Sequence, residues 1–162
     1  MLTYLLPVII ILLVIVLLLV VLLIMNYKEK TLYRNKIPYL KRFTLFTCSL
    51  FSIKIHHILL SDDADLHSHP WAYMSFILWG GYTEVRADYI DRHNHKVELT
   101  RTKYGPGSIL FRKAKGYHRL EVEGKRTCWT LVITFKKKHL WGFVDSMGRE
   151  TVYVPGSDPY VS

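Results

Sequence analysis

The sequence has two cysteines, no internal repeat and, after residue 26, no long amphipathic helical pattern. Two cysteines are too few for a scaffold held by several disulfides, so the domain needs a hydrophobic core. In a cytoplasmic domain we expect Cys48 and Cys128 to be reduced, buried apolar residues, whereas a disulfide between them would indicate the opposite topology. The missing helical period argues against an α-helical bundle beyond residue 26.

The segment from Leu5 to Met25 lacks charge, glycine, alanine and serine. As a helix it would span about 30 Å, the thickness of one hydrocarbon core. Without an ionisable residue it offers no proton or ion path, and without a small-xxx-small pattern it specifies no tight helix pair. The pattern predicts a membrane anchor.

A cleaved signal peptide is the alternative for this segment. Such peptides usually begin with basic residues and end at a small-x-small site. Met1 to Tyr4 carries no basic side chain, and Met25-Asn26-Tyr27 offers no such site. We therefore expect residues 1–26 to be a retained transmembrane helix.

Positive charge is concentrated directly after the apolar segment. The chain carries a net charge of +9, of which residues 26–43 contribute +5. This bias predicts a single-pass protein whose C-terminal domain is cytoplasmic, or on the internal face of a virion membrane if the protein is viral. We expect residues 27–43 to form a basic juxtamembrane linker that attracts anionic headgroups and not nucleic acid, through Lys28, Lys30, Arg34, Lys36, Lys41 and Arg42.

Residues 44–162 suit one all-β domain. Short runs rich in β-branched and aromatic residues alternate in period two, most clearly from Cys128 to Phe135. Turn signals separate them at Asp91–His95 and Gly105–Gly107, and Gly80-Gly81 predicts a hairpin. Many short strands with regular turns predict a barrel or a sandwich.

Histidines supply the most informative pattern. His67 and His69 are two residues apart, so on a strand their side chains point to the same face. His118, from a distant strand, can complete a three-point metal site.

Around these residues the chain resembles the cupin family. The first cupin motif, His-x-His followed by Glu and Gly, is matched by His67-x-His69, by Tyr73 in place of the Glu, and by Gly80. The second motif is matched by Gly107 and His118, with Lys113, Lys115 and Val122 at its Pro, Gly and Asn positions.

Longer stretches are similar to a group of cupin-like proteins of bacteria and phages. These are Asp65–Trp71, Ser75–Glu84, Trp129–Thr134 and Trp141–Phe143. The resemblance covers about residues 44–143 and implies a small cupin-like antiparallel β-barrel of the jelly-roll type, here preceded by one transmembrane helix.

The resemblance implies that His67, His69 and His118 are metal ligands for iron, nickel, manganese or zinc. Tyr73 stands at the position of the usual carboxylate ligand and becomes a polar or acid–base group. Three imidazoles leave open positions on a metal, but the same histidines could instead be satisfied by hydrogen bonds. Trp71 and Glu84 are expected in the pocket, and Glu84 and Asp65 are candidates for supporting positions behind the ligands.

Two other histidine pairs have simpler interpretations. His56 and His57 are adjacent on a strand, so they point to opposite faces and are expected in the core or on the surface. His93 and His95 fall in a polar turn and are expected to be solvated.

Two classes of function fit the sequence. The missing carboxylate and Val122 favour a non-catalytic or metal-binding subunit of a membrane-associated assembly, with other protein subunits as partners. The alternative is a three-histidine cupin enzyme, dioxygenase-like or isomerase-like, that acts on a small molecule. A metal-free variant of it would use a histidine and Tyr73 for proton transfer.

Overall fold

The computed structural model describes residues 2–124 and 126–153, with side chains from residue 5 onward. A single helix precedes the strands. The elements are α1 Leu2–Asn26, β1 Lys28–Arg34, β2 Ile37–Thr47, β3 Phe51–Ile58, β4 Leu66–Ser68, β5 Tyr73–Trp79, β6 Tyr82–Asp91, β7 Lys96–Tyr104, β8 Ile109–Arg112, β9 His118–Glu121, β10 Cys128–Phe135, β11 Gly142–Val144 and β12 Glu150–Val152.

The strands form two six-stranded antiparallel sheets that enclose the core. The first sheet has the order β1-β2-β3-β10-β5-β8, and the second has the order β12-β11-β4-β9-β6-β7. Chain neighbours such as β5 and β6 lie in different sheets, as in a jelly roll. The predicted fold class, an antiparallel β-barrel after one apolar helix, is confirmed.

Period-two burial places the apolar side chains between the sheets. Along β10 every second residue from Cys128 to Thr134 is buried. One buried cluster contains Ile58, Ile77, Tyr82, Leu110 and Cys128, and a smaller one contains Leu66, Val85 and Val144. Cys128 is buried as expected, but Cys48 is exposed and both thiols are free.

Gly80-Gly81 does not form the predicted hairpin, because it carries the chain from β5 in one sheet to β6 in the other. Both glycines pass close to backbone. A Cβ at Gly80, whose φ is +74°, would lie 2.0 Å from the Thr127 carbonyl oxygen, and one at Gly81 would lie 2.5 Å from that of Tyr104. The pair permits a tight crossing between sheets.

The expected linker at 27–43 is instead largely a β-hairpin. β1 pairs with β2 from Lys28↔Thr44 to Arg34↔Ile37. The two turn residues, Asn35 and Lys36, have φ values of 49° and 64°. Two positive φ values are typical of a type I′ turn, which favours Asn at the first position. The usual Gly at the second position is missing, so the turn signal in the sequence is weak.

Helix α1 is long and apolar enough to cross a membrane. Its candidate span, Leu5–Asn26, has 22 residues and contains an 18-residue stretch with a mean hydropathy of 4.0, none of which is buried against the barrel. The junction with β1 is short, since the Tyr27 amide donates to the Leu23 carbonyl at 2.9 Å.

Candidate metal centre

Three histidines converge inside the barrel. His67 on β4 and His118 on β9 are directly paired residues, so their side chains share the inner face of the second sheet. His69 lies two residues after His67 and points the same way. One ring nitrogen from each residue lies within 4.8 Å of the others. The structure thus brings together the three histidines that the sequence indicated as a metal site.

The distances suit ligands of a single ion. The Nε2 atoms of His69 and His118 are 2.9 Å apart. Two nitrogens bound at about 2.0–2.1 Å and at right angles would be separated by about 2.9 Å. The His67 ring centroid lies 5.0 Å from that of His69 and 4.9 Å from that of His118.

A carboxylate orients His118 from behind. The Nδ1 of His118 lies 2.9 Å from Glu84 Oε1. Arg112 donates from Nε to the same carboxylate at 2.8 Å, and its Nη2 donates to the other oxygen. Burial would raise the pKa of Glu84, but the hydrogen bonds from Arg112 and His118 outweigh it and lower that pKa to about 2.

The ionised Glu84 fixes the tautomer of His118. A carboxylate only accepts hydrogen bonds, so Nδ1 of His118 must carry the proton. The Nε2 lone pair then points into the cavity when the ring is neutral. This is the carboxylate–histidine arrangement that orients imidazole ligands in metal proteins.

The other two histidines are held neutral. Burial, aided by repulsion from neighbouring rings, lowers the pKa of His69 well below its usual range. Burial also lowers the pKa of His67 to about 4, although Asp62 opposes the shift. Neutral imidazoles present lone pairs to a cation without first releasing a proton, so both rings are ready to bind a metal.

Tyr73, at the position of the missing carboxylate, is part of the site. Its hydroxyl lies 3.2 Å from His118 Nε2, and its ring centroid is 4.8 Å from that of His69. Burial, and after it the charge of Glu84, raises the pKa of this phenol well above 10. At neutral pH Tyr73 is therefore a neutral hydroxyl that can donate a proton.

The histidines form one wall of a cavity of about 130 Å³. The opposite wall is the inner face of the first sheet, where β2, β3, β5 and β10 present mainly polar side chains. Trp71 and Trp141 also line the cavity. Trp71 is therefore in the pocket wall, as predicted, and Trp141 lies there as well.

Two expectations for supporting residues are corrected by the geometry. Glu84 lies behind His118, which is one of its two expected positions, and it does not line the cavity as a pocket residue would. Asp65 is exposed, and Asp62 takes the supporting position, with its carboxylate 4.0 Å from Nδ1 of His67. Asp62 also accepts a hydrogen bond from the Leu120 amide at 2.7 Å.

The six residues predicted at the membrane surface separate into two groups. Lys28, Lys30 and Lys36 are exposed, and Lys41 is half-buried. Arg34 instead contacts the barrel, with 2.9 Å to Asp63 and 3.0 Å to the Ser61 carbonyl. Arg42 lines the cavity, because β2 is a strand whose alternate residues face inward.

His56 and His57 point to opposite faces, as predicted. His57 stacks on Trp129 with ring centroids 4.0 Å apart, while His56 lines the cavity together with Lys54. We did not single out Lys54 or Arg112 from the sequence. The Lys54-x-His56 spacing repeats that of His67-x-His69 and could have indicated a second polar inward face.

No protein-family model and no curated protein matches the chain, but solved structures match its fold. The polyketide cyclase RemF from Streptomyces resistomycificus has a TM-score of 0.53 at 16% identity, covering 84% of this chain and 86% of that one. Rru_A2000 from Rhodospirillum rubrum, a cupin-2 domain, has a TM-score of 0.54 at 10% identity, covering 80% and 76%.

The iron(II) protein HppE has a TM-score of 0.55 at 16% identity, covering 68% of this chain. The matched region spans only 57% of the HppE chain. At these identities the likeness concerns the fold alone. The chain has a cupin-like fold with a three-histidine cluster inside the barrel.

Proposed function

We propose that this protein is a metal-dependent cupin, anchored to a membrane by α1, that acts on a small molecule in the barrel cavity. The observation that carries the proposal is the convergence of His67, His69 and His118, with one nitrogen of each within 4.8 Å of the others. The donor set fits iron, nickel, manganese or zinc, because imidazole is a good ligand for all four.

The protein's own residues have distinct roles at such a site. The three histidines would hold the ion, and Glu84, backed by Arg112, keeps the His118 lone pair directed at it. When bound, the ion would supply Lewis-acid chemistry or, if it is iron, redox chemistry. Tyr73 can donate a proton to a substrate oxygen, and Trp71 and Trp141 supply aromatic surface to the cavity wall.

The structural neighbours support small-molecule chemistry in this fold. RemF is described as a polyketide cyclase, and another structural neighbour, from S. wedmorenis, as hydroxypropylphosphonic acid epoxidase. HppE is described in an iron(II) form. These properties support the proposal only as precedents, since the likeness is one of fold.

A metal-free function is favoured by one specific contact. The Tyr73 hydroxyl lies 3.2 Å from Nε2 of His118, whose other nitrogen is bonded to ionised Glu84. A histidine backed by a carboxylate is a general base, and a neutral tyrosine is a general acid. This trio could move a proton on a substrate without a metal.

The structure weakens one reason for a purely non-catalytic subunit. That hypothesis rested on the missing carboxylate at Tyr73 and on Val122. Glu84 supplies a carboxylate behind His118, where it orients that histidine instead of binding the ion itself. Attachment to other membrane-bound subunits remains compatible with a metal site, because α1 and the cavity are separate features.

Metal content tests the proposal directly. The full-length chain, purified in detergent without chelators, should contain close to one equivalent of a divalent transition metal by elemental analysis. Replacing His67 and His118 together by Ala should abolish binding, and removing the metal should lower the melting temperature, because a ligand bound only to the folded state stabilises it.

The control variant is His93→Ala, which removes an exposed histidine from the β6–β7 turn and should leave metal content unchanged. Suppose that no metal is found and that added iron, nickel, manganese or zinc leaves the melting temperature unchanged. The metal-dependent proposal then falls, and the proton-transfer trio takes its place.

The membrane location is a separate proposal, supported by α1 and by the exposed lysines that follow it. We expect the barrel on the cytoplasmic side. Protease added to intact spheroplasts should leave the barrel uncut, and detergent should expose it. Digestion in intact spheroplasts would place the barrel on the other side.

A further inference from the structure

The cavity wall opposite the histidines carries uncompensated positive charge. Arg42 on β2 pairs directly with His56 on β3, so both side chains point inward, and Lys54 lies two residues before His56 on the same face. All three line the cavity that contains His67, His69 and His118.

These groups have few partners within the described part of the chain. The Nε of Arg42 and the Nε2 of His56 are buried without a hydrogen-bond partner, and neither Arg42 nor Lys54 forms a salt bridge there. Lys54 donates to the Thr134 hydroxyl at 3.0 Å and lies 5.0 Å from the Trp71 ring centroid. Buried polar groups in native proteins are usually satisfied, so these two atoms are available to a ligand that enters the cavity.

The cavity has no free anion to balance them. Among its described lining residues the one carboxylate is Asp62, which accepts from the Leu120 amide at 2.7 Å and lies beside His67. Two cations, Arg42 and Lys54, therefore face a cavity in which the one carboxylate among the described lining residues is already engaged. Leaving charges unpaired in a partly dry cavity is costly unless a ligand uses them.

We propose that Arg42, Lys54 and His56 form a subsite for the anionic group of a small substrate, a carboxylate or a phosphate. The remainder of that substrate extends toward the three histidines. The subsite itself depends only on β2 and β3, whereas the reaction at its far end rests on the proposed function.

The chemistry of the three side chains suits an oxyanion. A guanidinium matches two oxygens of one anion, an ammonium adds a point charge, and the imidazole Nε2 can donate a hydrogen bond. The hydroxyls of Thr130 and Thr134 line the same wall. The cavity volume of about 130 Å³ restricts the ligand to a small molecule.

Calorimetric titration with inorganic phosphate, and in parallel with acetate, tests the subsite. The full-length chain is used in detergent, once metal-free and once loaded with zinc. Phosphate should bind both forms, since the cationic wall does not need the metal. Arg42→Gln and Lys54→Gln should each weaken binding at least about tenfold, because each removes a charge-assisted contact.

Lys41→Gln is the matched control, because it removes a positive charge from the neighbouring residue, which pairs with the outward-facing His57. It should leave phosphate affinity unchanged. Circular dichroism and melting curves establish that each variant is folded. If Arg42→Gln fails to fold, Lys54→Gln gives the result by itself.

The outcomes separate the two proposals. Phosphate or acetate binding that depends on Arg42 and Lys54 supports the subsite even if no metal binds, and the arm with the tighter binding identifies the anion class. If metal binds but neither anion does, or if Lys41→Gln weakens binding as much as Arg42→Gln, the subsite proposal is overturned while the metal proposal stands.

Discussion

Two arginines, Arg42 on β2 and Arg112 on β8, lie toward opposite edges of the first sheet and have opposite electrostatic surroundings. Arg112 makes a two-pronged contact with Glu84 and donates to the Tyr104 hydroxyl at 3.2 Å. The hydrogen bonds with Glu84 raise the pKa of Arg112. Burial lowers the pKa of Arg42, whose Nε has no partner in the described residues.

The charge of Arg112 is used within the fold, whereas the charge of Arg42 is available to a ligand. Arg112 is neutralised by Glu84, and the pair positions His118. Arg42 contributes nothing comparable to the folded state, because no carboxylate compensates for its desolvation. The free energy of unfolding should therefore change in opposite directions when the two arginines are replaced.

Breaking the Arg112–Glu84 pair should have the largest effect. Arg112→Met leaves the Glu84 carboxylate, which is 3% exposed, without its main partner. We expect a loss of about 3–5 kcal/mol in the free energy of unfolding, the usual cost of an orphaned buried charge. Metal affinity should fall about 10–100-fold, because His118 loses its fixed orientation. Denaturant unfolding and cobalt titration of the full-length chain measure the two effects.

The double variant Arg112→Met/Glu84→Gln is the control for this prediction. It removes both charges, so it should recover part of the lost stability but none of the lost metal affinity. Equal stability of the single and double variants would show that the two residues do not act as a pair.

Arg42→Met should shift stability in the opposite direction. Removing an uncompensated buried charge is expected to raise the free energy of unfolding by about 1 kcal/mol, as in other exchanges of stability for function. Saturating phosphate should reverse the order, because the wild-type chain binds phosphate more tightly and is therefore stabilised more than the variant. A large loss of stability without phosphate would mean that Arg42 is a structural residue, as Arg112 is.

Local patterns predicted much of the fold. The bounds of β10 match the period-two run from Cys128 to Phe135. The same period cannot say in which sheet a strand lies, so Gly80-Gly81 was wrongly assigned to a hairpin. The pairing of strands in two sheets depends on contacts between residues far apart in the chain.

The candidate site was predictable where residues share one strand or one motif. The three histidines followed from spacing, and Glu84 was expected near them. Arg112 and Asp62 were not identified, because their partners come from other strands or loops. Arg42 was misplaced for a different reason: counting charges after an apolar segment does not distinguish the faces of a strand.

The smallest expected effect concerns Lys54 and pH. Burial, and after it repulsion by Arg42, lowers the pKa of Lys54 from 10.5 to about 8. Between these values the unfolded chain holds a proton on Lys54 that the folded chain has lost. Stability should therefore rise with pH across this window, and the penalty is fully present below about pH 8.

Comparison of the wild type with Lys54→Met isolates this contribution. Between pH 7 and pH 10 the melting temperature of the wild type should rise relative to that of Lys54→Met. This relative rise is the gain that reports Lys54, and Lys41→Met corrects for the general loss of a cation. Saturating phosphate should shrink the gain, because a bound anion favours the ammonium form and moves the Lys54 pKa back up. A gain that is unchanged by phosphate would mean that the anion binds away from Lys54, and the cationic wall would then be a consequence of packing alone.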